Sequence, residues 1–378
     1  MTARPTMLIL SFSPISGDAR VLKQVARFTQ DYDVTTLGYG DKPDGVVEHI
    51  SMPSEVRFDD RNGKLILLRR YRSVYWRLSA VKWARAALKG RRFDVIIAND
   101  VEAVPVAVKL KPTHGVLADL HEYSPRLHDD NASWFQRITP WFEWVVARYV
   151  TRADAWTTVS GGLAAEYERN FGFHAELVSN ATPYQELTPT PVSQPIRLVH
   201  SGAGLTNRQL HLMAEAVAGA DVDVTLDFYL TPNHPAYMEE LRAYAATTDR
   251  VRVLDPVPYA VLMATLNSYD VGVFLLPPKT FNYRHALPNK LFDFVQARLG
   301  IIVGPSPEMA SYVRDYGLGL VCDDFTVESL RRTIEELTPE NVAEYKRNAD
   351  AAAAELAGER QVEKWASIVS GLMEKPRR

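Results

Sequence analysis

The sequence predicts an α/β protein of two domains, each built on a parallel sheet covered by helices on both faces. The chain has 378 residues, 46% hydrophobic and 24% charged, which is an ordinary globular composition for two or three domains. Short apolar runs alternate with longer amphipathic stretches along nearly the whole chain. Four prolines lie within 180–195, and this proline-rich segment divides the strand series into two halves of similar size.

Short apolar runs predict twelve strands, six in each half. They lie at 7–12, 34–37, 94–98, 116–119, 155–159, 175–178, 196–200, 224–229, 251–254, 271–275, 301–303 and 319–322. Amphipathic stretches predict helices at 19–30, 101–110, 132–152, 207–217, 262–269, 289–298 and 307–316. We therefore expect an N-terminal domain (1–182), a linker (183–195), a C-terminal domain (196–358) and a C-terminal helix (359–378) that crosses back to the first domain. Two such domains facing each other place a ligand cleft at the carboxyl ends of both sheets.

Composition excludes several classes of protein. The formal charge of −3, from 43 Lys and Arg against 46 Asp and Glu, gives no electrostatic case for nucleic acid as a partner. The single cysteine, Cys322, can form neither an internal disulfide nor a zinc site. No apolar run reaches the length of a spanning helix, and the N-terminus lacks a signal-peptide pattern. We expect a cytoplasmic protein.

A turn suited to phosphate follows the first strand of the second half. The strand at 196–200 leads into Gly202, Gly204 and Arg208, and then into a helix. Small residues let a backbone approach phosphate, and a helix N-terminus offers free N–H groups. The alternative interpretation is a tight turn with a surface arginine. A dinucleotide fingerprint is incomplete because Asn207 occupies the place of its third glycine.

A second segment, around Pro288, places Asn289 and Lys290 in the first turn of a predicted helix. A cation beside free N–H groups is poorly placed unless an anion binds there. Asp293 lies three residues further on the same helical face. A lysine for diphosphate and a carboxylate for sugar hydroxyls would make a nucleotide site; an exposed Lys–Asp pair is the alternative.

Several motifs then match one family in order along nearly the whole chain. They are Asp-Leu-His-Glu at 119–122, Thr-Val-Ser-Gly-Gly-Leu at 158–163, Ser-Gly with Arg208, Pro-Asn-Lys-Leu-Phe-Asp at 288–293 and Gly-Pro-Ser-Pro-Glu at 304–308. The chain resembles the retaining GT-B glycosyltransferases of family four, which use nucleotide sugars and have two Rossmann-like domains facing a central cleft. The resemblance implies that Arg208 and Lys290 clamp the donor diphosphate and that Asp293 holds the ribose.

The resemblance also assigns the remaining site residues. It adds Gly202, Gly204, His285, Asn289 and Glu308 to the donor site, although His285 stands where the family has a glutamate. His121 is expected to reach toward the transferred sugar or the diphosphate, with Asp119 or Glu122 fixing its tautomer; a histidine satisfied within its loop is the alternative. No metal or other cofactor is expected, because the two cations replace a divalent ion.

An Asp-x-Asp spelling at 221–223 is interpreted as solvated strand-start residues rather than a metal site.

The first turn of the N-terminal domain is where the acceptor is expected. Its candidate residues are Gly17, Asp18 and Arg20, and helix capping is the alternative role for Asp18.

A basic, aromatic flank covers 64–92, with ten Lys and Arg and no acidic residue. On a continuous helix, Leu67 lies on the buried side, while Trp76 and Trp83 lie on the other side, near Arg69 and Arg72. Exposed tryptophan beside arginine suits an anionic membrane surface. A solvated, partly buried helix and a nucleic-acid surface are the alternatives. Membrane contact would place the protein peripherally on the inner face of the plasma membrane.

The sequence therefore predicts transfer of a sugar from a nucleotide donor to a glycan, glycolipid or small-molecule hydroxyl acceptor, with retention and without a metal. A lipid-linked or cell-envelope acceptor becomes the favoured kind if the membrane prediction holds. The alternatives are a nucleotide-sugar 2-epimerase of the same fold and a non-catalytic nucleotide-sugar or lipid-binding subunit. An NAD-dependent oxidoreductase ranks last.

Overall fold

The computed structural model describes residues 4–374, which form two compact units. Unit 1 comprises Met1–Ser179, Thr280–Asn282 and Gln361–Arg378, and unit 2 comprises Asn180–Lys279 and Tyr283–Arg360. The segment predicted as a linker thus groups with unit 2. Residues 1–3 and 375–378, at the ends of the first and last predicted segments, lie outside the described residues.

Unit 1 is built on a seven-stranded parallel sheet in the order β3-β2-β1-β4-β5-β6-β7. The strands are β1 (Thr6–Pro14), β2 (Asp33–Tyr39), β3 (Glu48–Met52), β4 (Val95–Asn99), β5 (Gly115–Leu120), β6 (Ala155–Thr158) and β7 (Glu176–Leu177). The apolar residues of β1 from Met7 to Leu10 have no exposed surface, as expected for a strand covered on both faces. β3 was not predicted.

Unit 2 is built on a six-stranded parallel sheet in the order β10-β9-β8-β11-β12-β13. The strands are β8 (Ile196–Ala203), β9 (Val224–Thr231), β10 (Val251–Leu254), β11 (Val271–Phe274), β12 (Gly300–Val303) and β13 (Gly319–Val321). Both sheets reverse their strand order beside their first strand, between β1 and β4 and between β8 and β11. Ligands of open α/β sheets bind at this kind of reversal.

Helices cover both sheets. The first eight are α1 (Ala19–Phe28), α2 (Gly63–Leu67), α3 (Tyr71–Arg77), α4 (Ser79–Ala87), α5 (Val104–Leu110), α6 (Ala132–Arg137), α7 (Thr139–Arg148) and α8 (Gly161–Phe171). The next nine are α9 (Leu210–Ala218), α10 (Pro235–Ala245), α11 (Tyr259–Asn267), α12 (Phe281–Arg284), α13 (Asn289–Gln296), α14 (Pro307–Asp315), α15 (Val327–Glu335), α16 (Pro339–Ala352) and α17 (Gly358–Met373). On α17, Trp365, Val369 and Leu372 are buried in a core cluster of unit 1 that contains Met7 of β1.

The prediction of one continuous helix through the basic flank is wrong. Arg69 has a left-handed φ of 50°, and Leu78 has an extended ψ of 134°, so the segment divides into α2, α3 and α4. The buried and exposed sides that were assigned to these residues on one continuous helical wheel are therefore not the sides observed in the structure.

The predicted exposure of the two tryptophans is wrong for the same reason. Trp76 and Trp83 are partly buried against the core of unit 1. The Trp76 indole N–H donates to the Tyr149 hydroxyl at 3.1 Å, and the Arg85 guanidinium lies 5.0 Å from the Trp76 ring centroid. Leu67 and Leu68 are exposed instead, at 65% and 69%.

Candidate functional site

The candidate donor site lies in unit 2, where β8 and β11 run side by side at the reversal of the sheet. Gly202 lies near the end of β8, and Arg208 follows that strand. Lys290 is the second residue of α13, which follows β11 and α12 along the chain. The fold therefore brings the two predicted cations to one edge of the sheet.

The sequence predicted a helix over 207–217 with Arg208 in its first turn, and the structure corrects this position. Arg208 ends a 3-10 turn formed by Thr206–Arg208, and Gln209, with a left-handed φ of 50°, separates this turn from α9. The Arg208 guanidinium lies 5.5 Å from the ring centroid of Tyr283. The neighbouring Asn207 amide donates to the Tyr283 hydroxyl at 2.9 Å, which fixes that ring.

Lys290 is half-buried, and its ammonium lies 5.8 Å from the ring centroid of Phe274. Burial lowers the pKa of Lys290 against the opposing effect of Asp293, and the nearby Arg208 adds to the lowering. Neither the Arg208 nor the Lys290 side chain makes a hydrogen bond or ion pair with another residue in 4–374. The site thus holds two neighbouring positive charges that no carboxylate neutralises by direct contact, which is the electrostatics an anion requires.

The two predicted glycines differ in what surrounds them. Gly202 has a φ of 150°, and a Cβ built on it would lie 2.4 Å from Cε of Lys290, so only glycine lets the lysine cross this strand. Gly204 is buried, and a Cβ there would lie 2.2 Å from the sulfur of Met238. Gly204 is therefore required for packing inside unit 2, which corrects its predicted role in approaching phosphate.

Two more predicted donor residues contact each other. Nδ1 of His285 lies 3.3 Å from Oε1 of Glu308, and both side chains are less than one-fifth exposed. Asp293 is buried, and its Oδ1 accepts a hydrogen bond from the Thr182 hydroxyl at 2.5 Å. Asn289, the first residue of α13, is exposed.

The candidate site of unit 1 centres on His121, which directly follows β5. Its Nε2 lies 3.1 Å from Oδ1 of Asn99 and 3.3 Å from Oδ2 of Asp119, while Nδ1 lies 3.4 Å from Oδ2 of Asp100. Burial alone would lower the pKa of His121, but Asp100 and Asp119 outweigh it and raise the pKa above its usual value. Of the two carboxylates expected as alternatives, Asp119 contacts the ring, and Asp100, which was not predicted, contacts the other ring nitrogen.

Arg20 is a buried structural residue rather than a free acceptor contact, which corrects its prediction. Its Nε and Nη2 donate to the two carboxylate oxygens of Asp119 at 2.8 and 2.6 Å, and Nη1 donates to the Val178 carbonyl at 2.7 Å. Although burial alone would raise the pKa of Asp119, Arg20 and His121 hold that pKa well below its usual range. Arg20 thereby fixes the carboxylate that orients His121.

The other two acceptor candidates lie in the turn after β1. Asp18 caps α1, since its Oδ1 accepts hydrogen bonds from the backbone N–H groups of Arg20 and Val21 at 3.1 and 3.2 Å. Gly17 is exposed, and a Cβ on it would have no neighbour within 4 Å. Of the three candidates, Gly17 alone leaves open space for a ligand beside it.

Sequence reasoning missed three contacts of these sites. Asp100 follows Asn99 at the end of β4 with a left-handed φ of 65°, and a polar pair ending an apolar strand was an available signal. His200 and Tyr283 gave no signal in the local sequence. His200 hydrogen-bonds Val273, which is 73 residues away, and Tyr283 contacts Arg208, which is 75 residues away.

Two further features bear on the predicted partners. Asp221 and Asp223 are exposed and precede β9, which agrees with their interpretation as solvated strand-start residues. Within residues 4–374, no helix combines the length and the hydropathy needed to cross a membrane.

Comparisons with known proteins agree with this geometry. Residues 19–183 match the model for Glycosyltransferase Family 4. No curated protein is significantly similar to this chain in sequence.

Similar solved structures extend over both units. They include a glycosyltransferase from Rickettsia africae (12% identity, 98% of this chain and 99% of that chain, TM-score 0.70). HepE from Anabaena, in complex with UDP and glucose, has 14% identity over 97% of this chain and 100% of its own, with a TM-score of 0.68. Sucrose-phosphate synthase from Thermosynechococcus elongatus has 14% identity over 98% and 99%, with a TM-score of 0.70.

These matches confirm the predicted class: the chain has the GT-B glycosyltransferase fold. The predicted resemblance to family four is confirmed by the match over 19–183, which lies in unit 1 apart from its last four residues.

Proposed function

We propose that this protein transfers a sugar from a nucleoside diphosphate donor to a hydroxyl acceptor, with retention and without a metal ion. One observation carries the donor half of the proposal: Arg208 and Lys290 lie together at the edge of the unit 2 sheet without a contacting carboxylate. The complex of HepE with UDP and glucose, on the same fold, supports this donor class.

The two cations would act on the leaving group. When the bond between the sugar and the diphosphate breaks, negative charge develops on the departing diphosphate oxygens. Fixed positive charges next to that position stabilise the transition state more than the ground state. Arg208 can donate two parallel hydrogen bonds to phosphate oxygens, while Lys290 supplies a compact charge. This is the role that a divalent cation would otherwise take.

The remaining predicted residues would define the donor around this clamp. We assign Asp293 to the ribose and the His285–Glu308 pair to the sugar. Asn289 would contribute at the start of α13. In unit 1, we assign His121 to the transfer step, because Asp100, Asp119 and Asn99 fix its ring and raise its pKa.

Calorimetry with UDP, GDP and dTDP tests the donor site. We expect one of them to bind, and we expect Lys290→Met and Arg208→Met each to weaken binding at least tenfold, since a hydrogen bond to a charged group is worth roughly 1.5–3 kcal/mol. Arg314→Met is the matched control, because Arg314 is exposed in the last turn of α14. Unchanged affinity in both clamp variants would refute the proposed donor site.

Retention and metal independence need activity assays. Once a donor sugar is identified, turnover should persist in excess EDTA, and nuclear magnetic resonance of the product should show the donor's anomeric configuration. A strict requirement for Mn²⁺ or an inverted product would contradict those parts of the proposal. Release of the free sugar epimerised at C2, without transfer, would identify the 2-epimerase alternative.

We further propose that unit 1 contacts an anionic membrane through the expected Arg69 and Arg72, with Leu67 and Leu68 as the apolar contacts in place of Trp76 and Trp83. Leu67 and Leu68 are exposed on and just after α2, and Arg69, Arg70 and Arg72 beside them are exposed as well. Two protruding leucines beside three arginines combine an apolar anchor with attraction to anionic lipid. Such contact would favour a lipid-linked acceptor.

Vesicle sedimentation tests this surface. Binding to vesicles that contain phosphatidylglycerol is expected for the wild type and should fall strongly in the Leu67→Ser, Leu68→Ser double variant. Val47→Ser is the control, because Val47 is also exposed in unit 1, at 63%. Equal binding by all three proteins, or by none, would remove the membrane proposal.

A further inference from the structure

His200 is buried beside the donor clamp and has no assigned role. It lies on β8, two residues before Gly202, and is 1% exposed. Its ring stacks on Phe274 with centroids 5.6 Å apart and an interplanar angle of 17°, and it contacts the edge of Phe228. These contacts hold the imidazole plane in one orientation.

One hydrogen bond sets the tautomer of this ring. Nδ1 of His200 lies 2.9 Å from the carbonyl oxygen of Val273 on the neighbouring strand β11. A carbonyl oxygen only accepts, so Nδ1 carries the proton and donates it. Burial first, and then the positive charge of Lys290, lower the pKa of His200 to about 3, so the ring is neutral. Nε2 is therefore a bare acceptor with an available lone pair.

That lone pair lies next to the clamp lysine. A Cβ built on Gly202 would lie 2.6 Å from Nζ of Lys290 and 3.9 Å from Nε2 of His200. The ammonium and the imidazole acceptor thus border the same small space above Gly202. In this structure the Lys290 ammonium makes no hydrogen bond with His200 or with another described residue, so no such bond fixes its position.

We propose that His200 is a positioning residue for the donor clamp: when a diphosphate occupies the site, its Nε2 accepts a hydrogen bond from the Lys290 ammonium and holds that charge over Gly202. This inference rests on the proposed function, because it concerns the same diphosphate site. A neutral acceptor suits the role, since a protonated imidazole would repel both Lys290 and Arg208, while a carboxylate would neutralise the charge that the diphosphate needs.

Two substitutions separate the two nitrogens. His200→Asn can keep a donor near the place of Nδ1, toward Val273, but has nothing at the place of Nε2. His200→Gln reaches the place of Nε2 and can offer its carbonyl oxygen there. Calorimetry would use whichever of UDP, GDP and dTDP binds the wild type most tightly. We expect His200→Asn to weaken that affinity about tenfold and His200→Gln to stay within threefold of the wild type.

A double-mutant cycle with Lys290→Met then distinguishes positioning from a general loss of structure. If His200 acts through Lys290, adding His200→Asn to Lys290→Met should cause no further loss of affinity. An undiminished loss in that background, or a His200→Asn variant that binds like the wild type, would overturn the inference. A wild type that binds no nucleoside diphosphate would instead refute the donor site itself.

Discussion

The buried contact between Arg20 and Asp119 gives the sharpest stability prediction. Both side chains are at most 3% exposed, and the guanidinium bonds both carboxylate oxygens. In Arg20→Met, Asp119 would lose the guanidinium that bonds both of its oxygens, and the Val178 carbonyl would lose a donor. Breaking one partner of a buried pair costs about 3–5 kcal/mol because the other charge stays buried. At about 2–4 °C per kcal/mol, we expect unit 1 to melt about 10 °C lower.

Tryptophan fluorescence is the assay, because all seven tryptophans lie in unit 1, so unit 2 does not contribute. Arg148→Met, which changes an exposed arginine of the same unit, is the control. The low pKa of Asp119 stabilises the folded state above the unfolded carboxyl's pKa of about 3.9, and this stabilisation is lost as pH falls. The difference in melting temperature between the wild type and Arg20→Met should therefore become smaller below about pH 4. An unchanged melting temperature together with lost activity would refute this reasoning and would support the earlier prediction that Arg20 contacts the acceptor.

Three further predictions concern the two sites. Burial lowers the pKa of Lys290 below the ordinary lysine value of about 10.4, and deprotonation removes the positive charge. The affinity for nucleoside diphosphate should therefore begin to fall at a pH below about 10.4 as the pH is raised. An affinity that stays constant up to about pH 10 would contradict this. Gly202→Ala should weaken the same affinity about tenfold, since its Cβ displaces the end of Lys290, and should also lower the melting temperature, since a φ of 150° is strained for alanine; an affinity equal to that of the wild type would contradict this prediction. His121→Ala should abolish product formation while nucleoside diphosphate affinity stays within twofold, and the assay is turnover measured beside calorimetry.

The strands were predictable because their signal is local. An apolar run such as Met7–Leu10 identifies a buried parallel strand from neighbouring residues alone. β3 was not predicted because it is an edge strand and is only partly buried. Its polar residues Glu48, His49 and Ser51 interrupt the apolar pattern. The division of 64–92 into three helices was not predicted, because neither arginine nor leucine is a residue type that marks a helix end, as Arg69 and Leu78 do here.

The sites were predictable only in part, for a related reason. Arg208 and Lys290 could be placed at one edge because each follows a recognisable strand. The burial of Arg20 depends on Asp119, 99 residues away, so its role could not be read from the turn that contains it. A polar residue at the end of a strand shows where chemistry can occur, but its partner decides whether it meets a ligand or another side chain.

The path of the chain limits how this protein can be shortened. The backbone passes from one unit to the other after Ser179, Lys279, Asn282 and Arg360. A gene truncated at the proline-rich segment would encode the unit 1 sheet without α17, whose Trp365, Val369 and Leu372 fill part of its core. Such a fragment would expose apolar surface and aggregate, whereas a fusion of residue 179 directly to residue 361 would retain the missing helix.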